Sequence, residues 1–262
     1  VTTMLDALYI AATGLHAEMT QLDAISNNLA NLNTTAFKKS NVSFDDLVYR
    51  DAVSAGSALN REGAQMRVGM GAGVAGIIKD FSVGDLRSTD NPLDLAIRGL
   101  GFLEVDTGNG EYGFTRSGAL KIDSEGYLST VNGYRLSANI QVPADATDIY
   151  VAPDGKVSVR VDGEAELFEL GQIELATFLN PTSLEALGAN LFMPTDDTSG
   201  LMMSVPGEDG TGALAQGFLE GSNVSLVNEM MSMVVTQRAY EVNSQVIRAV
   251  DEMLRINNNL RS

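Results

Sequence analysis

The sequence predicts an α+β fold, in which long N- and C-terminal helices form a coiled-coil core and enclose an all-β middle domain and an extended arm. Three observations predict it: apolar residues repeat every seven positions at both ends, short strand patterns fill the middle, and a Gly-, Ala- and Ser-rich stretch follows the first helix. The predicted segments are 1–49 for the N-terminal helix and its exit loop, 50–83 for the arm, 84–220 for the β domain and 221–262 for the C-terminal helix.

The N-terminal helix is predicted from Thr3 to Leu32, where Asn and Thr residues end the apolar repeat. Its apolar side chains form three adjacent columns that together cover about 100° of the helix, which suits one partner helix. The columns are Leu8, Leu15, Leu22 and Leu29; Leu5, Ala12 and Met19; and Met4, Ala11, Ile25 and Leu32.

Residues 50–83 follow neither a helix period nor a strand period, which indicates an extended arm or a long loop. We expect such a segment to become ordered against a neighbouring subunit.

The predicted arm contains Gly71, Gly73 and Gly76 in the G-x-G-x-x-G spacing that binds dinucleotide pyrophosphates. That fingerprint needs a helix opening at the third glycine, and the run from Ile77 to Val83 is too short for one, so a nucleotide-binding β-rich module is a remote alternative.

The middle of the chain predicts a compact all-β module, because short alternating runs are separated by turn residues. The strand patterns are Gly101–Val105, Tyr112–Arg116, Gly126–Val131, Val157–Val161 and Ile173–Phe178. The turn signals are Asp123–Gly126, Val131–Gly133 and Pro153–Gly155.

The C-terminal helix is predicted from Ser222 to Leu260, with Ser222 or Asn223 as its N-cap. Its apolar columns widen to an arc of about 160°, more than one partner helix can cover. The columns are Ala239, Val246, Met253 and Leu260; Val242, Ala249 and Ile256; and Tyr240, Ile247 and Leu254.

Composition excludes several classes of protein. Hydrophobic residues make up 44% of the 262 residues, too many for a disordered chain. There is no cysteine and a single histidine, His16, which excludes disulfides, thiolate nucleophiles and multi-histidine metal sites, and we expect no cofactor. Most of the net charge of −17 lies in residues 51–220, which hold ten basic and twenty-five acidic side chains and so carry −15. Because a segment with this much negative charge repels the phosphate backbone of nucleic acid, nucleic acid is not an expected partner.

Two blocks of sequence resemble the terminal regions of one protein family. The first is Ser26-Asn-Asn-Leu-Ala-Asn31 with Thr34-Thr-Ala-Phe-Lys38, and the second is Gly217-Phe-Leu-Glu-Gly-Ser-Asn-Val224 with Gln237-Arg-Ala-Tyr-Glu241 and Asn243-Ser244. Shorter matches lie at Asn91–Ile97, Gly99–Phe102, Phe114–Arg116 and Thr177–Pro181. The blocks are similar to those of the bacterial flagellar rod and hook proteins, and the length and the arm are most like those of the distal rod subunit. Ala36 stands where the family usually has glycine, which implies a modestly strained exit from the helix if that glycine has a positive φ.

The resemblance implies a structural subunit and not an enzyme, polymerising helically into a hollow, rigid shaft that transmits torque from motor to hook. It implies copies of itself as partners, together with proximal rod proteins, the hook protein, the peptidoglycan and outer-membrane ring proteins and the flagellar type III export apparatus. We expect export without a cleaved signal peptide and a place in the basal body, crossing the periplasm to the outer membrane. A proximal rod subunit or a hook-like axial subunit is the alternative interpretation.

The assembly interface is expected on both terminal helices. Its N-terminal residues are Leu8, Leu15, Leu22, Ile25, Asn27, Asn28, Leu29, Asn31 and Phe37. Its C-terminal residues are Gln237, Arg238, Tyr240, Val242, Asn243, Val246, Ile247, Met253 and Leu254. Phe44 and Val48 match the spacing of the family's export-gate motif, an aromatic residue followed four positions later by an apolar one.

Overall fold

A computed structural model of the chain describes residues 2–47, 49–52, 66–108, 110–161, 166–195 and 200–259. Within these residues it contains two long helices and twenty β-strands, which confirms the α+β class. The chain divides into two compact units. Unit 1 comprises residues 1–30, 40–79 and 225–262, and unit 2 comprises residues 31–39 and 80–224.

Unit 1 contains both long helices and two strand pairs. The helices are α1 (Thr2–Ala30) and α2 (Leu226–Asn259), and the strands are β1 (Ser40–Asp46), β2 (Tyr49–Ala52), β3 (Met66–Gly69) and β4 (Ala72–Lys79). Strand β1 pairs with β4 and β2 pairs with β3, both antiparallel. The stretch predicted as an unpatterned arm therefore contains three strands, while residues 53–65 lie outside the described residues. Frequent glycine and alanine hide the strand period in β4.

The two helices of unit 1 lie side by side and antiparallel. Asn28 of α1 contacts Glu229 of α2, and Gly14, fourteen residues earlier, faces Asn243, fourteen residues later. A Cβ atom at Gly14 would lie 3.1 Å from Nδ2 of Asn243, so the glycine lets the helices approach closely. Whether they form part of a coiled-coil core between subunits stays a prediction.

Helix α2 starts later than predicted, at Leu226, where the carbonyl of Ser225 accepts the N–H of Glu229 at 3.0 Å. The proposed N-caps were wrong. Oγ of Ser222 accepts the N–H of Val224 at 3.3 Å, and the side chain of Asn223 bonds to other segments of unit 2. Ser and Asn cap other local turns as readily as helices, so the capping pattern alone could not distinguish these sites.

Unit 2 is built from the remaining sixteen strands and one short 3₁₀ helix, Pro181–Ser183. The strands are β5 (Leu86–Ser88), β6 (Leu95–Arg98), β7 (Phe102–Asp106), β8 (Tyr112–Thr115), β9 (Leu120–Ile122), β10 (Leu128–Thr130), β11 (Arg135–Leu136), β12 (Ala146–Val151), β13 (Lys156–Val161), β14 (Leu167–Gln172), β15 (Leu175–Thr177), β16 (Leu184–Gly188), β17 (Leu191–Pro194), β18 (Met202–Ser204), β19 (Ala213–Gln216) and β20 (Phe218–Glu220).

The main sheet of unit 2 has the strand order β16-β17-β8-β7-β11-β10-β9, and β15 joins β7 to β18. Strands β12, β13 and β14 form a second antiparallel sheet, and β19 with β6 and β20 with β5 form two-stranded pairs. The large β domain predicted from the sequence is confirmed. The predicted turn glycines Gly126, Gly133 and Gly155 have φ values of 88°, 93° and 86°, which other residues rarely adopt.

The core of unit 2 has an aliphatic and an aromatic part. Sixteen buried aliphatic residues, among them Val105, Val157 and Leu175, form the larger cluster. The aromatic cluster contains Phe102, Phe114, Phe178 and Phe192, whose rings meet edge to face, as Phe114 and Phe178 do at 4.9 Å between centroids. Burial of each large apolar side chain stabilises the unit by about 1.5–3 kcal/mol.

Candidate functional site

Three charged side chains form a buried cluster in unit 2: Lys38, Arg116 and Glu220. Nζ of Lys38 lies 2.7 Å from Oε1 of Glu220, and Nε of Arg116 lies 2.8 Å from Oε2. Each residue is about 1% exposed. Oε1 also accepts the N–H of Gly84 at 2.9 Å. The carboxylate of Glu220 thus joins β20 to the segments that carry Lys38 and Arg116, both of which are distant in sequence. We name this arrangement the ionic cluster.

The backbone around the ionic cluster is shaped to admit these side chains. Nη1 of Arg116 donates to the carbonyl of Gly101 at 2.8 Å, and Nη2 donates to that of Gly99 at 2.9 Å. Gly99 and Gly101 have φ values of 127° and 132°, so their carbonyls converge on the guanidinium in a conformation that side chains disfavour. Gly84 needs to be glycine because a Cβ there would collide with the carbonyl of Gly221.

The pKa values of Glu220 and Lys38 are shifted because one buried carboxylate pairs with two cations. Burial alone would raise the pKa of Glu220, but Arg116, Lys38 and the N–H of Gly84 together hold it below the ordinary value. Burial lowers the pKa of Lys38 and outweighs the attraction of Glu220, and repulsion from Arg116 adds to the lowering. The charge on Glu220 is therefore strongly favoured, and Lys38 is the more weakly held cation.

Next to the ionic cluster, the first chain segment of unit 2, residues 31–39, is bonded to the end of the second, residues 80–224. The N–H of Ala36 donates to the carbonyl of Glu220 at 2.8 Å, and Ala36 has a φ of 56° and is fully buried. The positive φ on which the expected strain at this position depends is thus present. The side chain of Asn223 accepts the N–H of Lys39 at 2.8 Å and donates to the carbonyl of Asp80 at 2.8 Å. These bonds hold the segments 31–39, 80–84 and 217–224 together.

Unit 1 has a corresponding polar junction at Asn28. Its Oδ1 accepts the N–H of Ser40 at 2.8 Å, and its Nδ2 donates to the carbonyl of Ser40 at 3.0 Å and to Oε2 of Glu229 at 3.2 Å. Asn28 is 1% exposed and Glu229 is 9% exposed. One amide side chain therefore ties α1, β1 and α2 together.

The contact between α1 and α2 uses small and polar residues, which we name the seam: Gly14, Gln21 and Asn28 of α1 and Glu229, Thr236 and Asn243 of α2. Residues seven apart lie on one face of a helix, so Gln21 and Thr236 lie between the contacts made at either end. Sequence reasoning missed the seam because it followed apolar columns. The same spacing of seven in non-apolar residues was the available signal.

The predicted N-terminal interface residues are mostly occupied within the chain. Ile25, Asn28 and Phe37 are buried, Asn27 is exposed, and the others are half-buried. Those others are Leu8, Leu15, Leu22, Leu29 and Asn31. Asn28 and Phe37 therefore have intrachain contacts that the sequence did not reveal.

The predicted C-terminal interface residues are mostly accessible. Tyr240, Val242, Val246 and Met253 are 38%, 57%, 41% and 46% exposed. Gln237 and Arg238 are also exposed, and Asn243, Ile247 and Leu254 are half-buried. Phe44 of the possible export-gate motif is 46% exposed, and Val48 lies outside the described residues.

The glycine pattern at Gly71, Gly73 and Gly76 has the wrong setting for a dinucleotide site. Gly73 and Gly76 lie inside β4, which pairs antiparallel with β1, whereas the fingerprint glycines occupy a turn that opens a helix. Gly71 has a φ of 108°, and a side chain there would collide with Thr13 of α1. Close packing of β4 on α1 accounts for this glycine.

The described part of the chain contains neither a membrane-spanning helix nor a metal-binding cluster. Neither helix has a stretch long and apolar enough to cross a membrane. No group of three or more His, Asp or Glu side chains there could hold a metal ion.

Three family models match the chain. A flagella basal body rod protein model matches residues 8–38, a flagellar hook protein FlgE/F/G D1 domain model matches residues 96–159, and a flagellar basal body rod FlgEFG protein C-terminal model matches residues 215–260. Lys38, Arg116 and Glu220 each lie in a different one of these matches. The ionic cluster is therefore where the three matched regions meet.

Proteins from distant bacteria are similar to this chain over nearly its whole length. The flagellar basal-body rod protein FlgG of Borreliella burgdorferi is 42% identical to this chain. The matched region spans 98% of this chain and 99% of the Borreliella protein. The FlgG proteins of Caulobacter vibrioides and Bacillus subtilis are 39% and 38% identical and cover 98% and 96% of the chain, with 100% and 97% of their own lengths matched. These relatives confirm a structural protein and not an enzyme. The chain belongs to the family of flagellar basal-body rod proteins.

Proposed function

We propose that the chain is the distal rod subunit, which polymerises helically into a hollow, rigid shaft that transmits torque from motor to hook. Relatives named FlgG at 37–42% identity over nearly the full length support this position in the rod. Another axial subunit is not favoured, since the matched FlhP protein of Bacillus subtilis is only 29% identical.

The observation that carries polymerisation is the apolar surface of α2. Eleven of its large apolar side chains in the described residues are between 38% and 67% exposed. They are Leu226, Val227, Met230, Met231, Val234, Val235, Tyr240, Val242, Val246, Met253 and Ile256. Contiguous exposed apolar patches above a few hundred Å² are rare on soluble monomers and mark interaction surfaces. We infer that neighbouring subunits cover this surface.

The spread of these side chains around α2 supports an open polymer. Thr236 faces α1, and at 100° per residue Val234 lies about 160° away from it, whereas Val235 and Val246 lie about 80–100° away. Surfaces on two sides of one helix cannot both be satisfied by a single symmetric partner, and head-to-tail contacts that do not close produce helical filaments. The seam leaves both surfaces accessible.

The two polar junctions support a stiff subunit. The ionic cluster and Asn28 fix the backbone with buried, charge-assisted or multiple hydrogen bonds, which specify one geometry more strongly than apolar contacts alone. A shaft under torque needs subunits that deform little. The other partners that we propose are the proximal rod proteins, the hook protein, the peptidoglycan and outer-membrane ring proteins met in crossing the periplasm, and the type III export apparatus.

The proposal is tested by adding a charge to the exposed surface of α2. Val246→Asp should raise the concentration needed for polymerisation or abolish polymers, measured by sedimentation and electron microscopy, because burying an unpaired carboxylate is strongly unfavourable. Ser124→Asp is the control, since it adds the same charge at an exposed position outside unit 1. The circular dichroism spectrum of each monomer should match that of the unmodified chain. Normal polymers from Val246→Asp would contradict the interface.

A further inference from the structure

We propose that a groove on unit 1 binds Arg238 of a second copy of this chain, as one of the contacts that build the filament. This inference rests on the proposed function. The groove has a volume of about 530 Å³ and is lined by Glu18 and Gln21 of α1, Phe44 of β1, and Met231, Val235 and Ala239 of α2, among others. We name it the α1–α2 groove.

The α1–α2 groove contains two acceptors that lack a cation. Oε1 of Gln21 is buried and has no hydrogen-bond partner, and Glu18 makes no ion pair in the described part of the chain. Burial raises the pKa of Glu18, as it does for a carboxylate without a compensating cation. Helix α1 from Thr2 to Ala30 contains no Lys or Arg that could supply one. An unsatisfied buried acceptor costs about 1–3 kcal/mol, so a donor brought from outside would be bound favourably.

The walls of the groove suit the rest of an arginine side chain. Phe44, Met231 and Val235 are 46%, 62% and 67% exposed, so they present apolar surface beside the acceptors. An arginine can lay its aliphatic stem on such surface, stack its guanidinium on an aromatic ring and donate to more than one oxygen. The groove therefore has a charged end and an apolar wall, in the combination that arginine requires.

Arg238 is the arginine that the structure offers. It is exposed and makes no ion pair or side-chain hydrogen bond within the described residues. It is surrounded on α2 by the exposed Val234, Val235 and Val242, which would be buried along with it. Arg255 lies one turn from Asp251 and Glu252, and Arg248 donates to Oγ of Ser244 at 3.2 Å. Glu241 lies three residues after Arg238 but forms no ion pair with it, so among the arginines of α2 in the described residues Arg238 is the one with a free guanidinium and exposed apolar neighbours.

Arg238 does not occupy the groove of its own copy, since it forms no hydrogen bond or ion pair with Glu18 or Gln21. It lies two residues after Thr236, a seam residue, so it projects about 200° around the helix from α1. The groove is lined by Gln21 and Thr236 on the side of the seam. A contact between Arg238 of one copy and the groove of the next joins two different surfaces, so it extends into an open helical filament when each copy receives one neighbour's Arg238 and offers its own to another.

Charge reversal tests the contact in the full chain. We expect Arg238→Glu and Glu18→Arg each to raise the concentration needed for polymerisation tenfold or more, since removing one partner of a buried charged contact is costly. The double variant should restore polymerisation to within about threefold of the unmodified chain, because the pair is re-formed with opposite polarity. Arg248→Glu is the matched control and should behave as the unmodified chain.

The outcomes separate this inference from the proposed function. If the unmodified chain forms filaments and Arg238→Glu forms them at the same concentration, or if the double variant gives no rescue, the contact is wrong while the rod subunit stands. If the unmodified chain forms no filament under any condition, the proposed function fails.

Cross-linking gives a second test. Because the chain has no cysteine, a short bis-maleimide should link Gln21→Cys in one copy to Arg238→Cys in another, but not to Arg248→Cys. Absence of that link in filaments would likewise overturn the contact.

Discussion

Replacing Glu220 by glutamine removes the carboxylate of the ionic cluster while keeping the size of the side chain. Glu220 accepts from Lys38 at 2.7 Å, from Arg116 at 2.8 Å and from the N–H of Gly84 at 2.9 Å. Glutamine offers one oxygen to these three donors and turns its own amide N–H groups toward a cation. Removing one partner of a buried ion pair costs about 3–5 kcal/mol, and here two cations lose their partner. We expect Glu220→Gln to lower the free energy of unfolding of unit 2 by at least about 3 kcal/mol.

Two other variants make the expectation specific to the cluster. Lys38→Met should cost less than Glu220→Gln, because it leaves the balanced pair of Arg116 and Glu220 in place. Asp148→Asn breaks a pair with Arg160 whose side chains are 49% and 44% exposed, so it should cost no more than about 1 kcal/mol. The order of loss is therefore Glu220→Gln, then Lys38→Met, then Asp148→Asn.

Urea unfolding measures these differences, followed by far-ultraviolet circular dichroism and tyrosine fluorescence. Native-state hydrogen exchange at the amides of β7 and β8 assigns the loss to unit 2, because those strands surround Arg116. If Glu220→Gln costs no more than Asp148→Asn, or if Lys38→Met costs as much as Glu220→Gln, the account of one carboxylate balancing two cations is refuted.

Three further predictions follow from the junctions. The stability that Glu220 contributes should be complete above pH 4.5 and be lost as the pH falls through its lower folded-state pKa, so acid titration of the unfolding free energy should be flatter in Glu220→Gln. Asn28→Ala should destabilise unit 1 by about 2–4 kcal/mol, because it leaves the buried N–H of Ser40 without its acceptor, whereas Ser26→Ala, at an exposed position of the same helix, should change thermal unfolding little. Ala36→Gly should change stability by less than about 1 kcal/mol, because relief of the positive φ offsets the lost methyl burial and the added chain entropy; a larger loss in urea unfolding would contradict this.

The sequence predicted the elements that have a regular period. Heptad spacing placed α1 to within two residues at each end, and alternation with Asn-Gly and Asp-Gly turns predicted the β domain. Local chemistry was sufficient in both cases. The family resemblance drew attention to Ala36, where strain was expected if the family's glycine has a positive φ, and Ala36 has a φ of 56°.

The junctions could not be predicted because their partners are remote in sequence. Glu220 meets Lys38 across 182 residues and Arg116 across 104, and Asn28 meets Glu229 across 201. Spacing carries no information at such separations. The seam was missed for another reason: small and polar residues at heptad positions resemble an exposed helix face, and tertiary packing alone makes them a contact. The start of α2 shifted because Ser222 and Asn223 were engaged in turns and in unit 2.

The bond between Asn223 and Asp80 joins the two ends of residues 80–224, which make up most of unit 2, and makes that stretch an exchangeable part. The carbonyl of Asp80, at the start of this stretch, accepts from Nδ2 of Asn223, near its end. Oδ1 of the same side chain accepts the N–H of Lys39, the last residue of unit 2 before the chain passes into β1. A module whose two ends are fixed this close together can be lengthened, shortened or replaced between the same ends without altering the chain that carries it. Axial proteins of different girth could thus be made from one pair of helices by changing what is inserted at this point.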